Sequence, residues 1–157
     1  MKKIFCDMDG VLCDFEKSFE NKYHRTLEQI KSSYNDGFIW ALINKAGEPF
    51  WSEMPWLDSG KQLWNFIKPY NPTILTAPAR SALCVSGKKK WIIRELGPNI
   101  PYIIDAKKYK YAKPDYILID DSKKNIDKWI EAGGIGILHD NTKIDVTIKK
   151  LSMLMSE

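Results

Sequence analysis

Short apolar runs alternate with helical stretches along this chain, and that alternation confines it to one class of fold. The runs are residues 2–6 (KKIFC), 73–76 (TILT), 101–104 (PYII), 116–119 (YILI) and 135–138 (IGIL). Short runs of this kind, bounded by acidic, Gly or hydroxyl residues, suit buried strands. Between them the apolar spacing is helical. Phe15, Phe19, Tyr23 and Leu27 recur every four residues, with Phe38, Leu42 and Ile43 continuing the pattern. Asn35-Asp36-Gly37 breaks this region and Gly47-Glu48-Pro49 closes it. Asp58 is the expected N-cap of a helix carrying Leu63, Trp64, Phe66 and Ile67. Further helices are expected over residues 80–96, 122–132 and 144–155. The alternation predicts an α/β fold, a parallel sheet flanked by helices. In such sheets ligands bind at the carboxyl ends of the strands.

Three strand ends carry notable chemistry. The first closes on Asp7-Met8-Asp9-Gly10. Residues i and i+2 of an extended chain project to the same side, so Asp7 and Asp9 can share a site, and two close carboxylates repel unless a cation or shared proton relieves them. The fourth closes on Asp120-Asp121-Ser122, a second acidic pair at the same edge, one member of which can also cap the helix that follows. The second closes on Thr76, a hydroxyl. Carboxylates without a matching His or Cys set favour a hard, oxygen-liganded ion, Mg²⁺ over Zn²⁺.

Composition removes several other classes. The 157 residues suit one domain with a small insertion, and 44% hydrophobic with 28% charged residues exclude wholesale disorder. No apolar run approaches the roughly 20 residues of a membrane span, and no signal-peptide pattern opens the sequence. A net charge of +4 is too mild to argue for a nucleic-acid partner. Cys6, Cys13 and Cys84 are odd in number and lack a CxxC spacing, so reduced thiols and a cytoplasmic location are expected. Ser86-Gly87-Lys88 lacks the spacing of a P-loop, Gly133-Gly134-Ile135-Gly136 follows a helix rather than a strand, and His24 and His139 lack metal-ligand spacing. Lys88-Lys89-Lys90 is expected as a solvated helix face.

Taken in order, "IFCDMDGVL", "ILTA" and "ILIDDS", with lysines before the last, resemble the haloacid dehalogenase-like phosphohydrolases. Asp7 and Asp9 match that family's D-x-D motif, Thr76 its second motif, and Asp120-Asp121 its fourth. A narrower resemblance is to the 5'(3')-deoxyribonucleotidase branch in its short bacterial and phage form, through "DMDGVLCDF", "LTAP" and the lysine-to-DD spacing. That branch sets its motif-three lysine ten positions before the first Asp of motif four, which selects Lys110; Lys107, Lys108 and Lys113 are its rivals. The resemblance implies that Asp7 is the nucleophile and Asp9 the general acid and base. It further implies Mg²⁺ held by Asp7, the backbone carbonyl of Asp9 and Asp121, with Asp120 orienting the lysine or a metal-bound water. Thr76, Ala77 and Lys110 would hold phosphate oxygens.

The family inserts a small helical cap between its first two motifs, so the expected division is a core of 1–13 with 72–157 and a cap of 14–71. The cap segment is aromatic. Phe15 stands where the deoxyribonucleotidases place a Phe against the base, and Trp40, Phe50 and Trp51 are secondary candidates. The segment is shorter than in the vertebrate-type enzymes, and Ala77 stands where those carry a hydroxyl. The implied activity is a phosphomonoesterase for deoxynucleoside monophosphates, a small-molecule partner. Alternatives are a phosphatase for sugar phosphates or nucleic-acid 3'-phosphate ends, and a non-catalytic nucleotide- or phosphoprotein-binding module. Oligomeric state is open.

Overall fold

The computed structural model describes residues 1–157. Five parallel strands form one sheet: β1 (Lys3–Cys6), β2 (Thr73–Thr76), β3 (Tyr102–Ile104), β4 (Tyr116–Asp120) and β5 (Ile135–Leu138), in the order β3-β2-β1-β4-β5. The connectivity is that of a Rossmann-like α/β fold, as expected. β1 is central, its Cys6 paired with Ile74 on one side and Ile119 on the other. This register sets the residues that follow Cys6, Leu75 and Ile119 along a single edge.

The eight α-helices are α1 (Phe15–Tyr23), α2 (Leu27–Lys31), α3 (Asp36–Ala46), α4 (Glu48–Ser52), α5 (Asp58–Ile67), α6 (Ala82–Glu95), α7 (Lys123–Glu131) and α8 (Ile144–Met155). The helical run expected from Phe15 to Leu27 is interrupted. His24 adopts a left-handed conformation (φ 55°), and Thr26 opens α2 with a reciprocal capping box to Gln29. Asp58 is the first residue of its helix rather than the cap, which is Leu57 and offers no side-chain bond.

Contacts divide the chain into two compact units. The first holds residues 1–13, 56–77 and 100–157, and the second holds 14–55 and 78–99. The expected boundary at residue 71 therefore does not coincide with either unit. α5 joins the sheet unit because Gly60 lies against the main chain of Leu12, where a Cβ would stand 2.4 Å from the carbonyl oxygen. The Leu57 amide also donates to that carbonyl, at 2.8 Å. α6 joins residues 14–55 through Trp91 Nε1, which donates to the Met54 carbonyl at 2.8 Å, and through Lys90 and Ser86, which bond Glu48.

In the sheet unit, Phe5, Leu75 and Leu118 present one face to Ile126 and Trp129 of α7. The Phe5 ring lies 5.3 Å from those of Trp129 and Tyr116. The helical unit buries Phe19, Ile39, Ile43, Phe50, Trp51 and Trp91. Lys88 departs from the expected solvated face: it is 1% exposed, with its ammonium 5.5 Å from the Trp51 ring centroid. All three cysteines are buried thiols without a disulfide. No helix is long and apolar enough to cross a membrane.

Candidate active site

The carboxyl edge of the sheet unit gathers four of the expected residues. Asp7 follows β1 directly, and its amide donates to the Ile119 carbonyl at 3.0 Å, so the strand ladder itself positions it. Asp120 is the last residue of β4 and Thr76 the last of β2, both fully buried. After Asp7 the chain turns sharply. The amides of Val11, Leu12 and Cys13 all donate to the Met8 carbonyl, at 2.8–3.1 Å. Gly10 makes this turn at φ +79°, and a Cβ there would stand 2.1 Å from Asp121 Oδ2. Glycine thus serves the turn and the room for the Asp121 carboxylate at once.

Asp7, Asp120 and Asp121 each offer a carboxylate oxygen within 4.8 Å of the others. Burial pushes Asp7 up, Lys108 pulls it back, and the charges of Asp120 and Asp9 push it further, leaving it at about 8. Partial burial of the carboxylate, then the charge of Asp120, raises Asp121 to about 6. Burial is the larger cause of both shifts and the neighbouring carboxylates the smaller one, and a cation bound among the three oxygens would offset both. An all-oxygen donor set without imidazole or thiolate fits a hard divalent ion such as Mg²⁺. The trio does not include the side chain of Asp9, which lies in the turn two residues past Asp7.

The lysine of the site is Lys108. It is 2% exposed and donates to Asp7 Oδ1 at 2.9 Å and Asp120 Oδ2 at 2.6 Å. Burial disfavours its charge, but the two carboxylates outweigh that and hold it above the usual lysine value. Lys110, selected by motif spacing, lies outside the cluster. It pairs with Asp105 at 2.8 Å on a half-exposed side chain, and that bond is the main reason Asp105 is held down at about 2. The cause is local. Lys108–Tyr111 is a 3-10 turn, in which residues i and i+3 share a side. Tyr111 packs against the Phe5–Trp129 cluster, so Lys108 turns inward with it while Lys110 turns out.

Asp120 is fully engaged. Its Oδ1 accepts from the Ser122 amide at 2.9 Å, and its Oδ2 accepts from Lys108 and from Asn125 Nδ2 at 3.0 Å. The only sequence signal for Asn125 is its place one turn into the helix after Asp120-Asp121. The cap of α7 is Ser122, whose hydroxyl accepts from the Asn125 amide, so neither aspartate serves there. Ala77 lines a pocket with Lys108. Phe15 belongs to the other unit, where its half-buried ring lies 5.3 Å from Phe50, 5.8 Å from Trp51 and 6.2 Å from Trp40.

No family model and no curated protein sequence matches this chain. Solved structures do. A haloacid dehalogenase-like family hydrolase from Xanthomonas campestris aligns over 99% of this chain and 94% of its own, at 9% identity and a TM-score of 0.57. A hydrolase from Streptococcus pneumoniae TIGR4 aligns over 94% of this chain and 100% of its own, at 14% identity and a TM-score of 0.55. At such identities the likeness is one of fold, and the chain has the haloacid dehalogenase-like hydrolase fold.

Proposed function

We propose that this chain is a Mg²⁺-dependent phosphomonoesterase that works through an aspartyl-phosphate on Asp7. The observation that carries the reading is Asp7 itself, at the end of the central strand, held by Lys108 and clustered with Asp120 and Asp121. A protein that merely bound phosphate would gain nothing from presenting carboxylates to an anion.

In this reading a carboxylate oxygen of Asp7 attacks phosphorus and the P–O bond to the ester oxygen breaks. Asp9 gives a proton to the departing alkoxide, then takes one from the water that attacks the phosphorus of the aspartyl-phosphate. Inorganic phosphate leaves and the Asp7 carboxylate is restored. Lys108 fixes the Asp7 rotamer through Oδ1 and sets positive charge beside the transferring group. Thr76 offers its hydroxyl to a non-bridging oxygen, and Asp120 with Asn125 keeps Lys108 aimed. Asp7, Asp121 and the Asp9 carbonyl would hold Mg²⁺, which when bound offsets the repulsion between phosphate and carboxylate.

The finer reading is a 5'(3')-deoxyribonucleotidase, with deoxynucleoside monophosphates as the leading class. Its support is the sequence resemblance of "DMDGVLCDF" and "LTAP"; the lysine-to-DD spacing lends none, because the Lys110 it selects pairs with Asp105. Phosphate release from a panel of deoxynucleotides, ribonucleotides, sugar phosphates and an aryl phosphate, with and without Mg²⁺, tests both levels. Mg²⁺-dependent release that is abolished in folded Asp7→Asn is expected. Release by Asp7→Asn at the wild-type rate would remove the covalent mechanism, and a preference for sugar phosphates would remove the nucleotidase.

A further inference from the structure

We propose that the preferred substrate carries a second phosphate, bound by Lys107, Lys124 and Lys128 in a pocket beside the reacting carboxylates; this rests on the phosphomonoesterase reading above. The pocket measures about 400 Å³ and is formed within the sheet unit by the 3-10 turn at Lys108–Tyr111 and α7. Its inner wall is Lys108 and Asn125, the two side chains that hold Asp120 Oδ2. An occupant therefore meets the lysine that bonds Asp7 and Asp120. No carboxylate lines it.

The charges around this pocket fall into two sets. Lys108 is neutralised by Asp7 and Asp120, Lys110 by Asp105, and Lys123 by Asp127. Lys107, Lys124 and Lys128 form no ion pair, and all three are exposed. Lys124 and Lys128 stand four residues apart on α7, where like charges repel. Lys124 also sits in a first helical turn that holds no acidic residue, against the helix dipole. This arrangement weakens the helix, and an anion in the pocket relieves it. A monophosphate spends its only phosphate at Asp7, whereas a bisphosphate has a second to give. A further depression of about 430 Å³ shares Tyr109 and Lys128 and runs on to Glu131, whose carboxylate bounds the positive region.

The test compares deoxyadenosine 3',5'-bisphosphate with deoxyadenosine 5'-monophosphate on the full chain with Mg²⁺ at low ionic strength. The bisphosphate is expected to show kcat/KM higher by about tenfold, the gain that three exposed charge pairs supply together. The Lys124→Met, Lys128→Met double variant should lose that preference, keep its monophosphate turnover, and melt no lower than the wild type. Added salt should shrink the preference. Equal wild-type rates, or a preference that survives the double variant, would overturn the proposal while leaving the phosphatase intact. If neither compound releases phosphate, calorimetric binding of the bisphosphate decides: lysine-dependent affinity upholds the pocket without the phosphatase, and no binding overturns it. A 3'-phosphorylated trinucleotide is the third arm, and its preference over the bisphosphate would overturn the small-molecule assignment.

Discussion

Lys108 and Lys110 are two residues apart in a run of similar composition, yet one is buried between two carboxylates and the other sits on the surface with Asp105. Removing one partner of a buried ion pair costs about 3–5 kcal/mol, whereas an exposed pair is worth about 0–1 kcal/mol. Lys108→Met should therefore lower kcat by roughly 10²–10³, the range for losing one preorganised electrostatic donor, and should also lower the melting temperature. Lys110→Met should change both little. Steady-state kinetics with a melt of each variant checks this, and the reverse order would return the role to Lys110. Gly10 permits an equally local test. Alanine there meets both a positive φ and the Asp121 carboxylate at 2.1 Å, so Gly10→Ala should displace Asp121 and raise the Mg²⁺ concentration needed for half-maximal rate. An unchanged Mg²⁺ titration in folded Gly10→Ala would separate Asp121 from the metal.

α1 opens with Phe15, and the two readings of that ring predict different behaviour. Its contacts with Phe50, Trp51 and Trp40 describe an anchor for α1. Truncating a half-buried aromatic in such a cluster costs about 1–2 kcal/mol, or roughly 2–8 °C of melting temperature in a chain this long. Phe15→Ala should show that loss while leaving the ratio of deoxynucleotide to sugar-phosphate kcat/KM unchanged. A fall of roughly fivefold or more in that ratio, the least that losing one base stack of about 1–3 kcal/mol implies, would instead assign the ring to the base. The element boundaries have equally specific causes. α1 ends at His24 because the left-handed residue there and the Thr26–Gln29 box restart the chain, which a four-residue apolar period running through Leu27 conceals. α7 begins at Ser122 because its hydroxyl bonds Asn125, leaving Asp120 to Lys108 and Asp121 to the trio.

For the molecule as a whole, the excess negative charge at the sheet edge should couple Mg²⁺ to folding. An ion that binds only the folded state adds about 2.7 kcal/mol at a hundred times its dissociation constant. Mg²⁺ should therefore raise the melting temperature and EDTA reverse it. Asp121→Ala should blunt that rise more than Asp120→Ala, because Asp120 is already committed to Ser122, Asn125 and Lys108. A thermal titration of the two variants with the opposite ranking would exchange their roles. The α/β class, the parallel sheet and the placing of Asp7, Thr76 and Asp120-Asp121 along one sheet edge were legible in sequence. They follow from strand length, alternation and the rule that such strands share one carboxyl edge, which are local or topological. Lys108, Asn125 and the grouping of α5 with the sheet were not legible. Each depends on which side of a short turn or helix meets the core: Tyr111 pulls Lys108 inward, and Gly60 admits the Leu12 backbone. Chain spacing does not encode contacts between segments far apart in sequence, and tertiary structure alone decided them.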